Sequence, residues 1–377
     1  MKEVFKLNKK MLIFLIILSL FEFSHPAFSF KAATVHPPPG VVDLRILETT
    51  DLHASLVNYD YYQTRVDNRI GLVKTATLIK KARKEVQNSL LFDDGDHLKG
   101  NPLGEYLARI RGIRKGKLHP VYRAFNYLHY DAVAIGNHEF NYGLEFLNAA
   151  VKGAMMPVLN ANVFSVKKKK PYFTPYVILK RKVVDQTGRK HHIKIGVIAF
   201  MPTQIMKWDK ANLEGKVMAK PIVDTAKEFI PIMKSKGADI IVALAHTGIS
   251  YGPYSAESEN AVYYLSKIPG IDVILAGHSH NVFPSSVYKN SPDTNLETGQ
   301  INGKPVVMAG AFGNRLGIID LRLKKTNGQW GILKGTSFTR PIVNDAGTSL
   351  VKRDKRLYQL VNPEHQETVD FINKLGL

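Results

Sequence analysis

Five short apolar runs in this chain each stop at residues that bind metal ions, and few folds allow that. Residues 44–47 run into Asp51-Leu-His53, and 90–92 into Gly95-Asp96. Residues 132–135 run into Gly136-Asn137-His138-Glu139, 240–245 into His246, and 273–276 into Gly277-His278-Ser279-His280. An apolar run of roughly four to six residues that stops at Gly, Asp or His reads as a buried strand handing its last side chains to a sheet edge. Ligand sites of α/β proteins collect beyond the carboxyl ends of strands, so five such ends can converge. Three Asp/Asn and four His donors suit two divalent cations that share a bridging carboxylate.

The intervals between these runs carry helical patterns at 71–87, 119–128, 223–236 and 259–267, with further strands expected at 157–159, 193–200, 305–308 and 317–323. Strands alternating with helices predict an α/β protein. Two ligand-bearing strand sets in separate halves predict two packed β-sheets with helices outside, an αββα sandwich. With 377 residues, 45% of them hydrophobic, the chain has ample material for such a core. Repeats and low-complexity segments are absent. From about Arg340 the pattern loosens, and 356–375 is expected to be a final amphipathic helix.

The start of the chain has a different character. Lys2, Lys6, Lys9 and Lys10 precede an apolar run at 11–21, and Ala27 and Ser29 follow with the −3/−1 spacing of a signal-peptidase site. The run is short for a bilayer span. Residues 1–29 are therefore expected to be a signal peptide and 30–41, with Pro37-Pro38-Pro39-Gly40, a linker. The protein is expected to be exported to the periplasm without stable membrane association once the signal is removed. The sequence has no cysteine, which excludes disulfides, thiolate metal sites and a cysteine nucleophile. A formal charge of +20 points to anionic partners such as nucleotides. The excess is spread along the chain, and its one run, 167–170, reads as a solvated loop. No helix-turn-helix or RNA-binding pattern stands out, so no specific nucleic-acid partner is expected.

The motifs differ in weight. Asp51-x-His53 alone is weak, because such triplets are common on surfaces. Gly136-Asn137-His138-Glu139 is stronger, placing a neutral oxygen ligand beside an acid/base imidazole. In Gly277-His278-Ser279-His280 the two imidazoles point to opposite sides of an extended segment, so each can serve one metal of a pair. His246 gains meaning only from the other four. His97, directly after Asp96, reads as a supporting or exposed residue. His119, His129, His191, His192 and His365 lack motif context and read as surface.

This ordered set resembles the calcineurin-like metallophosphoesterases. The longer text resembles one branch of them, the bacterial periplasmic 2′,3′-cyclic-nucleotide 2′-phosphodiesterase/3′-nucleotidases. The similarity rests on Leu44-Arg-Ile-Leu-Glu-Thr-Thr-Asp-Leu-His53 and Gly136-Asn-His-Glu-Phe-Asn-Tyr-Gly143. It continues in Trp208-Asp-Lys-Ala-Asn-Leu-Glu-Gly215 and Tyr263-Tyr-Leu-Ser-Lys-Ile-Pro-Gly270. The resemblance implies one metal held by Asp51, His53, Asp96 and His280, and a second held by Asp96, Asn137, His246 and His278. It implies His138 as the catalytic residue that binds no metal. Its reaction would open a 2′,3′-cyclic nucleotide to the 3′-nucleotide and then release phosphate from the nucleoside. The metal identity stays open among Mn, Co, Mg and Zn, since mixed oxygen/imidazole sites accept all of them.

Three departures qualify the resemblance. Asn141 stands where many relatives that hydrolyse 5′-nucleotides have Asp, and an amide orients an imidazole without stabilising its charge as a carboxylate would. Asp94 stands where the branch usually shows Asn. The family pattern also continues into a second domain whose aromatic pair stacks the base. Residues 42–345 are thus expected to form the catalytic domain, and 346–377 to begin a linker helix towards a second domain that is absent. A separately encoded substrate-binding domain then becomes a candidate partner beside the nucleotide substrate. The alternatives are a broad nucleotidase or phosphomonoesterase with little base selectivity, and a poorly active metal-binding fragment of an interrupted gene.

Overall fold

Side chains alternate across a strand, and here both faces of the central strands are apolar. In the strand Val41–Thr49, Val42, Leu44 and Ile46 join one cluster while Leu47 joins another. In Ile240–Ala245 the split is regular. Ile240, Val242 and Leu244 face the cluster that contains Leu44, whereas Ile241, Ala243 and Ala245 face a third. Three apolar interlayers therefore separate four layers, helix, sheet, sheet and helix. The computed structural model describes residues 40–114 and 116–376. The expected signal peptide and nearly all of the expected 30–41 linker lie outside them.

One sheet has six strands in the order Gln329–Pro341, Arg315–Thr326, Val41–Thr49, Ser89–Asp93, Ala132–Ala134, Val158–Leu159. The other has eight, with Lys304–Ala309, Val273–Ala276, Ile240–Ala245, Lys190–Phe200 and Tyr176–Val184 side by side in that order. The strands that precede the site motifs run parallel within each sheet. Their carboxyl ends therefore lie at a common edge, which is the crevice the sequence pattern requires. The helices Leu72–Lys84, Pro120–Leu128 and Lys355–Lys374 cover the first sheet, and Ile222–Ser235 covers the second.

Most expected elements form, with shifted ends. The helix expected over 259–267 shrinks to Val262–Leu265, because the Glu259 carbonyl accepts from Thr247 and its carboxylate from His278. Two long strands, Tyr176–Val184 and Gln329–Pro341, had no counterpart among the expected elements. The final helix runs Lys355–Lys374, with Asp354 as N-cap accepting from the Leu357 N–H at 2.8 Å. It packs on the first sheet's helices through Leu357, Val361 and Ile372.

Candidate metal centre

Five of the seven donors sit in tight turns, so the extended backbone expected to separate His278 and His280 does not form. Asp51, His53, Asp96, His278 and His280 all have φ between 48° and 67°, the left-handed region that L-residues rarely adopt. Each such residue costs about 1 kcal/mol or more, and such strain concentrates at functional sites. Two glycines let the turns approach one another. A Cβ at Gly136 would collide with the Asp96 carboxylate, and one at Gly277 with Thr50 and Asp51.

All eight residues named from the sequence come together. Asp51, His53 and His280 offer ligand atoms within 4.8 Å of one another, as do Asp96, His246 and His278. Nε2 of His53 and of His280 are 2.8 Å apart, and Nε2 of His280 is 3.4 Å from Asp51 Oδ1. On the other side Nε2 of His246 is 3.0 Å from Asp96 Oδ2 and 3.2 Å from Asn137 Oδ1. Ligands bound at about 2.1 Å to one ion stand roughly 3 Å apart, so these separations fit donors that face a common ion. Asp51 Oδ1 is buried without a hydrogen-bond partner, as an acceptor reserved for a cation would be.

The imidazoles are oriented from behind. His53 Nδ1 donates to the Lys99 carbonyl at 2.7 Å and His246 Nδ1 to the Asp94 carbonyl at 2.8 Å, which turns both Nε2 atoms to the site. His278 is held by a side chain instead, its Nε2 against the Glu259 carboxylate at 2.7 Å, and its ring lies within reach of Asp96 and His246. The Asp96 carboxyl is held below its ordinary range. Burial opposes this, but the charge of His246 and its hydrogen bond outweigh burial. His246 is in turn pushed up to about 10 against its own burial, by Asp96 and Asp51. The pocket thus favours positive charge at its centre, and the donor set fits divalent cations.

His138 stands at the mouth, its side chain 38% exposed and its Nε2 4.0 Å from Asp96 Oδ2. Its backbone N–H donates to Asp96 Oδ1 at 2.7 Å, so the imidazole is carried by the same turn that orders Asp96. Nδ1 lies 2.5 Å from Asn141 Oδ1.

Sequence reasoning assigned no role to Glu139. This fully buried carboxylate accepts from the N–H groups of Asp96, His97, Leu98 and Gly136 at 2.7–2.9 Å, locking the two loops that carry Asp96 and Asn137. Its place directly after His138 was the available signal. Trp208, half-exposed, stacks on His278 with centroids 5.7 Å apart.

Of the two readings of His97 the supporting one holds, whereas His119 and His365 need correction. His97 is supporting and buried, between Asp93 Oδ1 and Tyr122 Oη at 2.9 Å each. His119 is buried rather than on the surface. It caps the helix Pro120–Leu128, and burial pushes it down to about 3. His365 is buried against the Tyr61 hydroxyl at 2.8 Å.

The chain belongs to the calcineurin-like phosphoesterase family, whose model matches residues 44–282. Within it, the chain is 46% identical over 349 residues to a 2′,3′-cyclic-nucleotide 2′-phosphodiesterase/3′-nucleotidase of Salmonella typhimurium, covering 92% of this chain and 53% of that one. It is also 46% identical over 336 residues to the protein of the same name from Yersinia enterocolitica, covering 89% and 51%. The chain thus spans about half the length of these curated relatives. The crystal structure of the calcineurin-like phosphoesterase YfkN from Bacillus subtilis superposes with a TM-score of 0.85 at 44% identity, covering 88% of this chain and 99% of that one. The αββα expectation therefore holds. The family uses a dinuclear metal centre.

Proposed function

We propose that the chain is a dinuclear-metal phosphoesterase that converts 2′,3′-cyclic nucleotides to 3′-nucleotides and these to nucleoside and phosphate. The observation that carries this reading is the convergence of oxygen and imidazole donors from both sheets on two adjacent points, with Asp96 between them. The branch is taken from the relatives' printed names. Asp51, His53, Asp96 and His280 would hold one cation, and Asp96, Asn137, His246 and His278 the other. Bound divalent ions would neutralise phosphoryl oxygens and make water more acidic at neutral pH.

The chain's own residues supply the rest. Glu139 and the carbonyls of Lys99 and Asp94 fix the donors before substrate arrives, so little reorganisation is needed in the transition state. His138, at the mouth and bearing no ligand duty, would protonate the departing ribose oxygen, first O2′ of the cyclic ester and then O3′. Export rests on residues 1–29 alone. Among the described residues no helix is long and apolar enough to cross a membrane.

The purified chain, loaded in turn with Mn²⁺, Co²⁺, Mg²⁺ and Zn²⁺, should be offered 2′,3′-cAMP, 3′-AMP, 5′-AMP and bis-p-nitrophenyl phosphate. Turnover of the first two above 5′-AMP with at least one metal is the expected result. No hydrolysis with any metal, or preference for 5′-AMP, would overturn it.

A further inference from the structure

The segment Trp208-Asp-Lys-Ala-Asn-Leu-Glu-Gly215 carries part of the family resemblance, yet no residue of it is a metal donor. Its place in the fold gives it a different role. The two short helices Ile205–Trp208 and Lys210–Leu213 meet at Asp209 and lie against the turn that bears His138. Asp209 is buried, and its Oδ2 accepts from Asn141 Nδ2 at 2.5 Å. Its Oδ1 accepts from Asn212 Nδ2 at 3.2 Å. The same Asn212 amide reaches the Asn141 carbonyl at 3.2 Å, so the carboxylate is tied to the back of the catalytic turn.

A chain of hydrogen bonds with a defined direction results. An ionised carboxylate only accepts, so Asn141 must present its NH₂ to Asp209 and its carbonyl oxygen to His138. A carbonyl oxygen also only accepts, so His138 must carry a proton on Nδ1. Nε2, on the substrate side, is then the nitrogen that takes up and gives away the proton. Without Asp209 the amide can turn over, present NH₂ to Nδ1, and leave His138 protonated on the wrong nitrogen for its task. Asn141 alone cannot make this choice, because an amide offers both a donor and an acceptor.

We infer that Asp209 is a positioning residue of the active site, fixing the tautomer of His138 through the amide of Asn141. The inference rests on the phosphoesterase reading for its kinetic consequence, though not for its spectroscopic one. It also revises the expectation that Asn141 deprives the imidazole of a carboxylate. The carboxylate is present one residue further back and acts through the amide.

Two measurements test it on the Mg²⁺-loaded chain. The first is ¹⁵N NMR of histidine-labelled protein at a pH where the ring is neutral, with the His138 signal assigned by its loss in His138→Gln. Wild type should show the Nδ1–H tautomer, Asp209→Asn a mixture with Nε2–H, and the exchanged pair Asn141→Asp/Asp209→Asn a return to Nδ1–H. The second is kinetics at unchanged metal content. Asp209→Asn should lower kcat on 2′,3′-cAMP and 3′-AMP by roughly tenfold, with KM altered by less than about twofold. On bis-p-nitrophenyl phosphate, whose leaving group needs no proton, the change should stay below about twofold, and the exchanged pair should recover most of the loss. An unchanged tautomer in Asp209→Asn, or equal losses on good and poor leaving groups, would overturn the inference. Should Asp209→Asn fail to fold, Asn141→Ala must show the same tautomer mixture, and a pure Nδ1–H signal there would overturn it equally. If wild type hydrolyses nothing with Mg²⁺ or with Mn²⁺, Co²⁺ or Zn²⁺ in its place, the phosphoesterase reading falls, while the NMR result still decides this inference.

Discussion

Two pairs of buried carboxyl groups, one at the metal centre and one behind it, share the same burial and meet opposite fates. Asp51 and Asp96 face the crevice and are held below the ordinary carboxylate range. Burial works to raise both, but the charge of His246 prevails, helped at Asp51 by the nearby His280 and at Asp96 by the hydrogen bond of His246. Glu48 and Asp94 are equally buried, and their oxygens have no hydrogen-bond partner. Burial and the neighbouring anions push both upward, towards the neutral form. The difference lies in the neighbours rather than in depth. Carboxylates with imidazole donors around them form a charged site, and those without become part of its insulated floor.

The comparison breaks most visibly at Asp96. If one carboxylate serves both ions, Asp96→Ala should remove both from the chain and bring hydrolysis to background. Elemental analysis of the purified variant checks this, and two retained ions per chain would refute the assignment. Asp94→Ala, one layer behind, should keep its metals.

His138 marks the next step down, because the proposed mechanism has it touch the reaction without holding an ion. His138→Ala should keep both metals and lose roughly 10²–10⁴-fold in turnover of 3′-AMP. The loss should be much smaller for p-nitrophenyl esters. Equal losses on both substrates would assign His138 to phosphate binding instead.

What the sequence made legible was the convergence, and for a physical reason. The strands Ser89–Asp93, Ile240–Ala245 and Val273–Ala276 are buried on both faces, so they read as continuous apolar runs, and their polar terminators stand out. Gln329–Pro341 and Tyr176–Val184 did not stand out, because each is half-exposed and interrupted by charges such as Lys180, Lys182 and Lys334. Both strands lie at sheet edges, where charge is the usual protection against unwanted pairing. The supports of the site were hidden for another reason. Glu139, Glu259 and Asp209 act through contacts with loops distant in sequence or through backbone N–H groups, and such partners leave no spacing to read.

Asp94→Asn sharpens the contrast between the two carboxyl pairs. An amide of the same shape removes an acid whose ionisation the fold opposes. Below pH 3.8 the unfolded and folded states both carry the proton, so this group then favours neither chain. As pH rises, the unfolded wild type ionises while the folded one retains its proton, and wild type loses stability relative to the variant until the raised folded-state pKa is reached. At neutral pH the metal-free variant should therefore be the more stable of the two, read from denaturant midpoints, and within that window the gap should widen by up to about 1.4 kcal/mol per pH unit. An equal or lower midpoint would show that Asp94 is ionised and partnered by a group the contrast leaves out.

Glu85 gives the smallest effect and serves as the surface counterpart. Its carboxylate bridges Arg340 at 2.7 Å and Arg45 at 2.6 Å, and their hydrogen bonds and charges hold it down to about 2 from 4.5. For a depressed acid the sign is the reverse of that for Asp94. The contribution is fully present above pH 4.5 and is lost as pH falls towards 2. Its size is limited, because the side chain is one-third exposed and Arg45 keeps its paired bonds to Asp320 at 2.7 and 2.8 Å. Glu85→Gln should therefore cost no more than about 1 kcal/mol at pH 7, and raised salt should shrink the difference. A cost that persists unchanged at pH 2 would mean that Glu85 acts by packing rather than by charge. The carboxylate would then have to be compared with Glu139, whose work is to hold backbone in place, instead of with the titrating pairs.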